Sequence, residues 1–205
     1  MMRPSALVFD LDGTLIDSGR DITTAVNLTR ADFGLPPLGS EQVGRMVGEG
    51  GRMLVRRALG AEVPAESLER ALPLYLEHYR AVCLDTTAAY PGIETMLAEL
   101  ASSFPIAVLS NKAEAVSRHI LARLGLMGDI REVVGGDTLP TRKPNPGGLF
   151  LLADRFDLQA ADLLLVGDLS VDADTARAAG CGFALAEWGS LQSGRPPVEA
   201  EWRFG

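Results

Sequence analysis

Asp10 and Asp12, separated by one residue, close a short apolar run (Ala6 to Phe9) and are followed at once by Gly13 and Thr14. On an extended backbone two such side chains diverge unless the chain bends, and Gly13 permits the bend. A carboxylate placed like Asp10 can attack phosphorus and carry the group as an aspartyl-phosphate. Asp12, offset from it, can protonate the leaving oxygen and later deprotonate the attacking water. Two carboxylates facing a phosphate dianion repel it, so the chemistry calls for a cation. Asp168 follows a second apolar run, 163–166. With Asp10 it offers the hard oxygens Mg²⁺ accepts, alongside waters, a backbone carbonyl and a substrate oxygen. Lys143 supplies positive charge where the equatorial phosphate oxygens gain negative charge. Ser110 and the amide of Asn111, after a third run, can donate to those oxygens at a helix N-terminus.

For these groups to meet, their strands must end on one edge of a sheet. Short buried strands are predicted over 5–9, 106–109, 133–134, 163–166 and 183–185, and helices over 93–100, 114–124, 148–156 and 171–179. Strands alternating with single helices imply right-handed crossovers and a parallel sheet covered on both faces. In such a sheet the clusters Asp10/Asp12/Thr14, Ser110/Asn111 and Asp168/Asp172 converge on one crevice, with Lys143 in a loop before a helix. Residues 17–88 read differently. Ile22, Ala25, Val26 and Leu28 recur at helical spacing after Asp17 or Ser18 as N-cap, and the pattern stops near Gly34. A glycine-rich break at 48–51 precedes Met53, Leu54, Ala58 and Leu59, and Pro64 precedes an amphipathic stretch to about Val82. No convincing strand is read there. The expectation is a doubly wound α/β core, residues 1–16 and 89–205, with an inserted helical cap at 17–88.

Composition narrows the partners. A net charge of −8 argues against a nucleic-acid backbone as ligand, and means that an anionic substrate must be drawn in by a local device. The apolar runs fall far short of the about 20 residues that cross a bilayer. The apolar run before Asp10 is too short for a signal peptide, so a cytoplasmic protein, monomer or homodimer, is expected. Cys83 and Cys181 are far apart with no CxxC pattern, and read as reduced structural thiols. Of nineteen basic residues seventeen are Arg; only Lys112 and Lys143 are Lys, both in polar loops after apolar strands. Lys is a compact point charge where Arg is a bulky planar fork, so the choice is informative beside these motifs.

The stretches Asp10-Leu-Asp-Gly-Thr-Leu-Ile-Asp-Ser, Leu109-Ser-Asn-Lys, Lys143-Pro-Asn-Pro and Val166-Gly-Asp-Leu-Ser-Val-Asp stand in this order along the chain. In this the sequence resembles the haloacid dehalogenase-like superfamily, in its phosphoglycolate phosphatase-like branch, over essentially its whole length. The resemblance implies Asp10 as nucleophile and Asp12 as acid/base. Ser110 and Lys143 would bind phosphate, with Thr14 and Asn111 beside them. Mg²⁺ would be held by Asp10, the main-chain carbonyl of Asp12, and Asp168. Asp172 would place the metal waters or Lys143, and the insertion would close as a mobile cap that excludes water. The substrate so implied is a small phosphorylated metabolite. Dehalogenase relatives lack an acid at the position of Asp12, and phosphonatase relatives use a cap lysine; this insertion has no Lys. A phosphomutase, or a phosphatase for a sugar phosphate or pyrophosphate, remains an alternative, as does a silent phosphate-binding protein.

Departures touch the substrate. Leu169 stands where relatives carry Ser or Thr, with Ser170 beside it to compensate. Trp188-Gly189-Ser190 lacks the Tyr of a related Trp-Gly-Tyr element, and Glu49 adds negative charge to a glycine turn that would face substrate. Lys112 reads equally as a solvated loop lysine or a substrate contact. Arg52 and Arg56 share one helical face and read as solvated, and His78 and His119 as surface residues. Asp172 and Ser110 can also cap helices, and Asp137 can be purely structural.

Overall fold

The computed structural model describes residues 4–60, 64–189, 191 and 196–205. Among these residues eight strands and eight α-helices follow in the order β1 (Ala6–Phe9), β2 (Ile16–Asp17), α1 (Gly19–Asp32), α2 (Ser40–Gly44), α3 (Gly51–Leu59), α4 (Ala65–Val82), β3 (Ala88–Ala89), α5 (Ile93–Ala101), β4 (Ile106–Leu109), α6 (Glu114–Arg123), β5 (Glu132–Val134), α7 (Gly147–Arg155), β6 (Leu163–Gly167), α8 (Ser170–Ala179), β7 (Gly182–Ala186) and β8 (Trp202–Phe204). Six strands form one parallel sheet in the order β5-β4-β1-β6-β7-β8. The core is therefore the α/β, Rossmann-like one expected.

The alternation of side chains along each strand explains why both faces are covered. Leu7 and Phe9 of β1 pack with Ile106, Val108 and Val133 against α5 and α6. Ala6 and Val8 point the other way, with Leu163, Leu165 and Phe183 against α7 and α8. These apolar, two-sided strands are buried, all but the partly buried Leu164 of β6, as parallel strands with helices on both faces must be. The chain runs from β1 out to β4 and β5, then returns to β6 on the other side of β1. That reversal opens a crevice at the carboxyl ends of β1, β4 and β6.

Between β1 and β4 the chain leaves the sheet. Helices α1, α3 and α4 pack on one another, with Ile22, Ala25, Val26, Leu54, Val55, Ala58, Ala71, Tyr75 and Tyr79 among the buried residues. Leu28, expected on the buried face of α1, is instead among the exposed large hydrophobics, because it is turned from the stripe that meets α4. The root of this segment holds strand where none was read. β2 and β3 pair antiparallel, Ile16 opposite Ala89 and Asp17 opposite Ala88. Behind this ribbon, Asp21 accepts hydrogen bonds from the backbone N–H and hydroxyl of both Thr86 and Thr87 at 2.6–3.1 Å.

Candidate active site

The loop after β1 carries the first two acids. Gly13 has φ +86°, a left-handed conformation that favours glycine, and a Cβ there would overlap the carboxylate of Asp168. A Cβ on Gly189 would likewise come within 2.8 Å of Asp168 Cβ. Glycines on two loops thus let the backbone close around one acid.

Asp10, Asp168 and Asp172 are buried, and one carboxylate oxygen from each lies within 4.8 Å of the others. Lys143 Nζ is wedged among them, 2.8 Å from Asp10 Oδ1 and 2.6 Å from Asp172 Oδ1. Asp172 Oδ2 accepts from the N–H of Leu169 at 3.1 Å, so this acid both caps α8 and orients Lys143. Thr14 donates to Asp168 Oδ1 at 3.3 Å. Among the described residues Asp168 Oδ2 is buried with no hydrogen-bond partner.

Three acids against one ammonium leave a buried excess of negative charge. Burial pushes the Asp10 carboxyl up to about 7; Lys143 opposes this and Asp172 adds to it. Burial, then Asp172 and Asp10, hold Asp168 well above the usual carboxylate range. Lys143 is buried too, which disfavours its charge, yet Asp10 and Asp172 hold its pKa above that of an ordinary lysine. An orphaned buried oxygen in an all-carboxylate donor set, short of positive charge, fits a hard divalent cation. Asp10 and Asp168 are the residues that fit it best.

Asp12 lies on the cleft side of this cluster. Its Oδ1 accepts from Lys112 Nζ at 2.5 Å and, in a shorter contact, from Ser18 Oγ. Lys112 is not a solvated loop lysine: its side chain is 9% exposed, and its ammonium also donates to the Tyr79 hydroxyl at 2.6 Å. Neither Tyr79 nor Ser18 was singled out as a site residue from the sequence, though the scarcity of lysine had flagged Lys112.

Ser110 is buried beside the pair, its Oγ accepting from Lys112 N–H at 3.2 Å. The side-chain amide of Asn111 bridges two loops, donating to Gly48 O at 2.8 Å and Lys143 O at 2.9 Å. Asp10, Asp12, Ser110, Asn111, Lys112 and Lys143 all line one cleft of about 660 Å³, its open mouth included, whose other wall is Ile22, Val47, Leu54, Tyr75, Leu76 and Tyr79. Thr14 does not line it; fully buried, it braces Asp168 from behind, a different placement from the phosphate contact expected.

The remaining expectations sort by contact. Glu49 turns away from the cleft to pair with Arg57, so the glycine turn presents only backbone there. Leu169 is buried against Gly48, whose Cβ, if present, would lie 2.9 Å from Leu169 Cδ1. Ser170 is exposed at the start of α8 and does not take over that position. Ser190 lies outside the described residues, while Trp188 Nε1 donates to Thr14 O at 2.9 Å. Arg52 and Arg56 are exposed, Arg52 paired with Glu69. His119 is exposed, and His78 meets Asp32 at 2.8 Å. Asp137 accepts from the Glu114 N–H at 2.7 Å, a helix cap. Both cysteines are buried free thiols. No helix among the described residues is long and apolar enough to cross a membrane.

The family model for haloacid dehalogenase-like hydrolases matches residues 7–186. A phosphoglycolate phosphatase from Rhodospirillum rubrum is 40% identical over 194 residues, 91% of this chain and 80% of that protein. One from Nitrosospira multiformis is 40% identical over 201 residues, 96% of this chain and 88% of its own length. A crystal structure described as a predicted phosphoglycolate phosphatase from Haemophilus somnus superposes with a TM-score of 0.91 at 27% identity, covering 100% of this chain and 95% of that one.

Proposed function

The chain belongs to the haloacid dehalogenase-like hydrolase family, and from that premise we propose that it is a Mg²⁺-dependent phosphatase for small phosphomonoesters, phosphoglycolate among them. The observation that carries the reading is the buried triad Asp10, Asp168 and Asp172 with Lys143 wedged into it, of which Asp10 and Lys143 line the cleft.

In the proposed reaction the substrate phosphate lies between Lys143 and Ser110. Asp10 Oδ attacks phosphorus while the bond to the leaving oxygen breaks. Asp12 gives that oxygen its proton. The alcohol leaves, and Asp12, now a carboxylate, takes a proton from the water that attacks the aspartyl-phosphate; Asp10 and inorganic phosphate are released. Mg²⁺, held by Asp10, Asp168 and the main chain of Asp12, would supply the positive charge that lets carboxylate and phosphate meet. Lys143 keeps its charge beside Asp10 throughout, tethered by Asp172. Residues 17–88 serve as the cap whose apolar wall keeps bulk water from the intermediate. The free buried thiols accord with a reducing, cytoplasmic setting.

Asp10→Asn tests this. It keeps the side-chain shape and removes the nucleophile, so hydrolysis of phosphoglycolate and of p-nitrophenyl phosphate is expected to stop, with an unchanged circular dichroism spectrum. Turnover retained by that variant would overturn the assignment. Transfer of the phosphoryl group from the Asp10 intermediate to a sugar acceptor, without release of inorganic phosphate, would favour the mutase instead.

A further inference from the structure

We propose that Tyr79, carried by the insertion, is a positioning residue that sets the geometry of Asp12 by way of Lys112; this rests on the reading of Asp12 as the proton donor to the leaving oxygen. Tyr79 lies on α4, buried and stacked on Tyr75 with ring centroids 5.9 Å apart and planes 7° from parallel, so its hydroxyl is held in place by packing. That hydroxyl accepts from Lys112 Nζ at 2.6 Å, and the same Nζ lies 4.8 Å from the Tyr79 ring centroid and 2.5 Å from Asp12 Oδ1. Burial keeps the phenol neutral, its pKa well above the ordinary tyrosine value, so it binds the ammonium without competing with Asp12 as an anion.

A lysine stem is flexible and its ammonium has three donors. With one donor on Tyr79 and one on Asp12, the ammonium has a fixed place between the insertion and the sheet edge. Among the described residues both hydrogen bonds to Asp12, from Lys112 and Ser18, fall on Oδ1. Oδ2 is thereby left as the oxygen to share a proton with substrate. Of the groups that aim this carboxylate, Ser18 and Tyr79 belong to residues 17–88 and Lys112 to the loop after β4. The proton donor is therefore fully oriented only when the insertion sits on the sheet edge as it does here.

The test uses leaving groups. A poor leaving group such as glycolate needs a proton as the ester bond breaks, whereas p-nitrophenolate does not. Tyr79→Phe keeps the ring and its stacking and removes only the hydroxyl. It is expected to lower kcat/KM for phosphoglycolate about 10-fold, and for p-nitrophenyl phosphate less than about 2-fold, with Asp12→Asn showing the same selectivity at larger size. Lys112→Met should show it too, and Tyr79→Phe added to Lys112→Met should cost nothing more, because both remove one path. Equal losses on the two esters, or additive losses in the double variant, would overturn the proposal while leaving the phosphatase intact. An Asp12→Asn variant that is unselective would instead remove the proton-donor reading, and this proposal with it.

Discussion

The two walls of the cleft are built from opposite materials. The sheet edge concentrates charge: Asp10, Asp172 and Lys143 are buried and cross-linked at 2.6–2.8 Å, and Asp168 is buried beside them where a side chain at Gly13 or Gly189 would not fit. The insertion offers Val47, Leu54, Tyr75 and Tyr79 to the cleft, and its own ion pairs, Arg52 with Glu69 and Arg57 with Glu49, face solvent. Reacting groups must be held to a fraction of an ångström, which strand ends do better than an excursion of chain. A wall that has to admit and release substrate is better made of groups that lose little when they part. Its polar ties to the site number few, Ser18 and Tyr79 on the Asp12–Lys112 pair and Gly48 O on Asn111.

Breaking the charged wall should have the largest effect. Lys143→Met leaves buried acids facing one another; kcat/KM is expected to fall about 10³-fold, as for removal of a preorganised oxyanion donor. In EDTA the protein should also lose about 3 kcal/mol of stability by urea unfolding, as for a broken buried pair. Gly13→Ala comes next. The added methyl overlaps the Asp168 carboxylate, so Mg²⁺ affinity by titration calorimetry should fall about 10- to 100-fold, the range seen when a ligand's support is lost.

A third measurement sharpens the contrast through protons. Asp10 carries a pKa raised by burial, so between about 4 and about 7 the metal-free folded protein binds more protons than the unfolded chain. Its stability therefore falls as pH rises through that window, and Asp10→Asn should flatten the slope. A divalent cation bound at these acids has to displace those protons, so the rise in Tm on adding Mg²⁺ is expected to grow over the same range. The smallest effect belongs to the other wall: Arg52→Ala removes an exposed ion pair and should leave stability within about 0.5 kcal/mol and kcat/KM within about two-fold.

The charged wall was also the legible one. An acid directly after a buried apolar run announces itself, and parallel strands must put their carboxyl ends on one edge, so Asp10, Asp12 and Asp168 follow from local pattern plus topology. Lys112 and Tyr79 are 33 residues apart, and nothing in either neighbourhood encodes that they meet. Their pairing depends on how α4 lies over the sheet, which periodicity does not report. The β2–β3 ribbon and β8 were missed for another reason. Two or three residues carry no alternation, and β8 exists only because Ala184, Leu185 and Ala186 offer an open edge to residues 202–204. Thr14 shows the converse: its position beside two acids is plain in the chain, but whether a hydroxyl faces substrate or the back of a neighbouring carboxylate is decided by the bend at Gly13.

The staple of Asp21 on Thr86 and Thr87 has a bearing on how such a protein can be rebuilt. Donor and acceptor both belong to the excursion from the sheet, near its two ends, so the knot that ties those ends travels with the segment. A block exchange of residues 18–87 between relatives would import its own fastening and need only match the short ribbon at Ile16 and Ala89. Substrate preference could then be transplanted as a cassette, while Asp10, Asp168, Asp172 and Lys143 stay behind, provided the incoming segment brings hydroxyls equivalent to those of Ser18 and Tyr79.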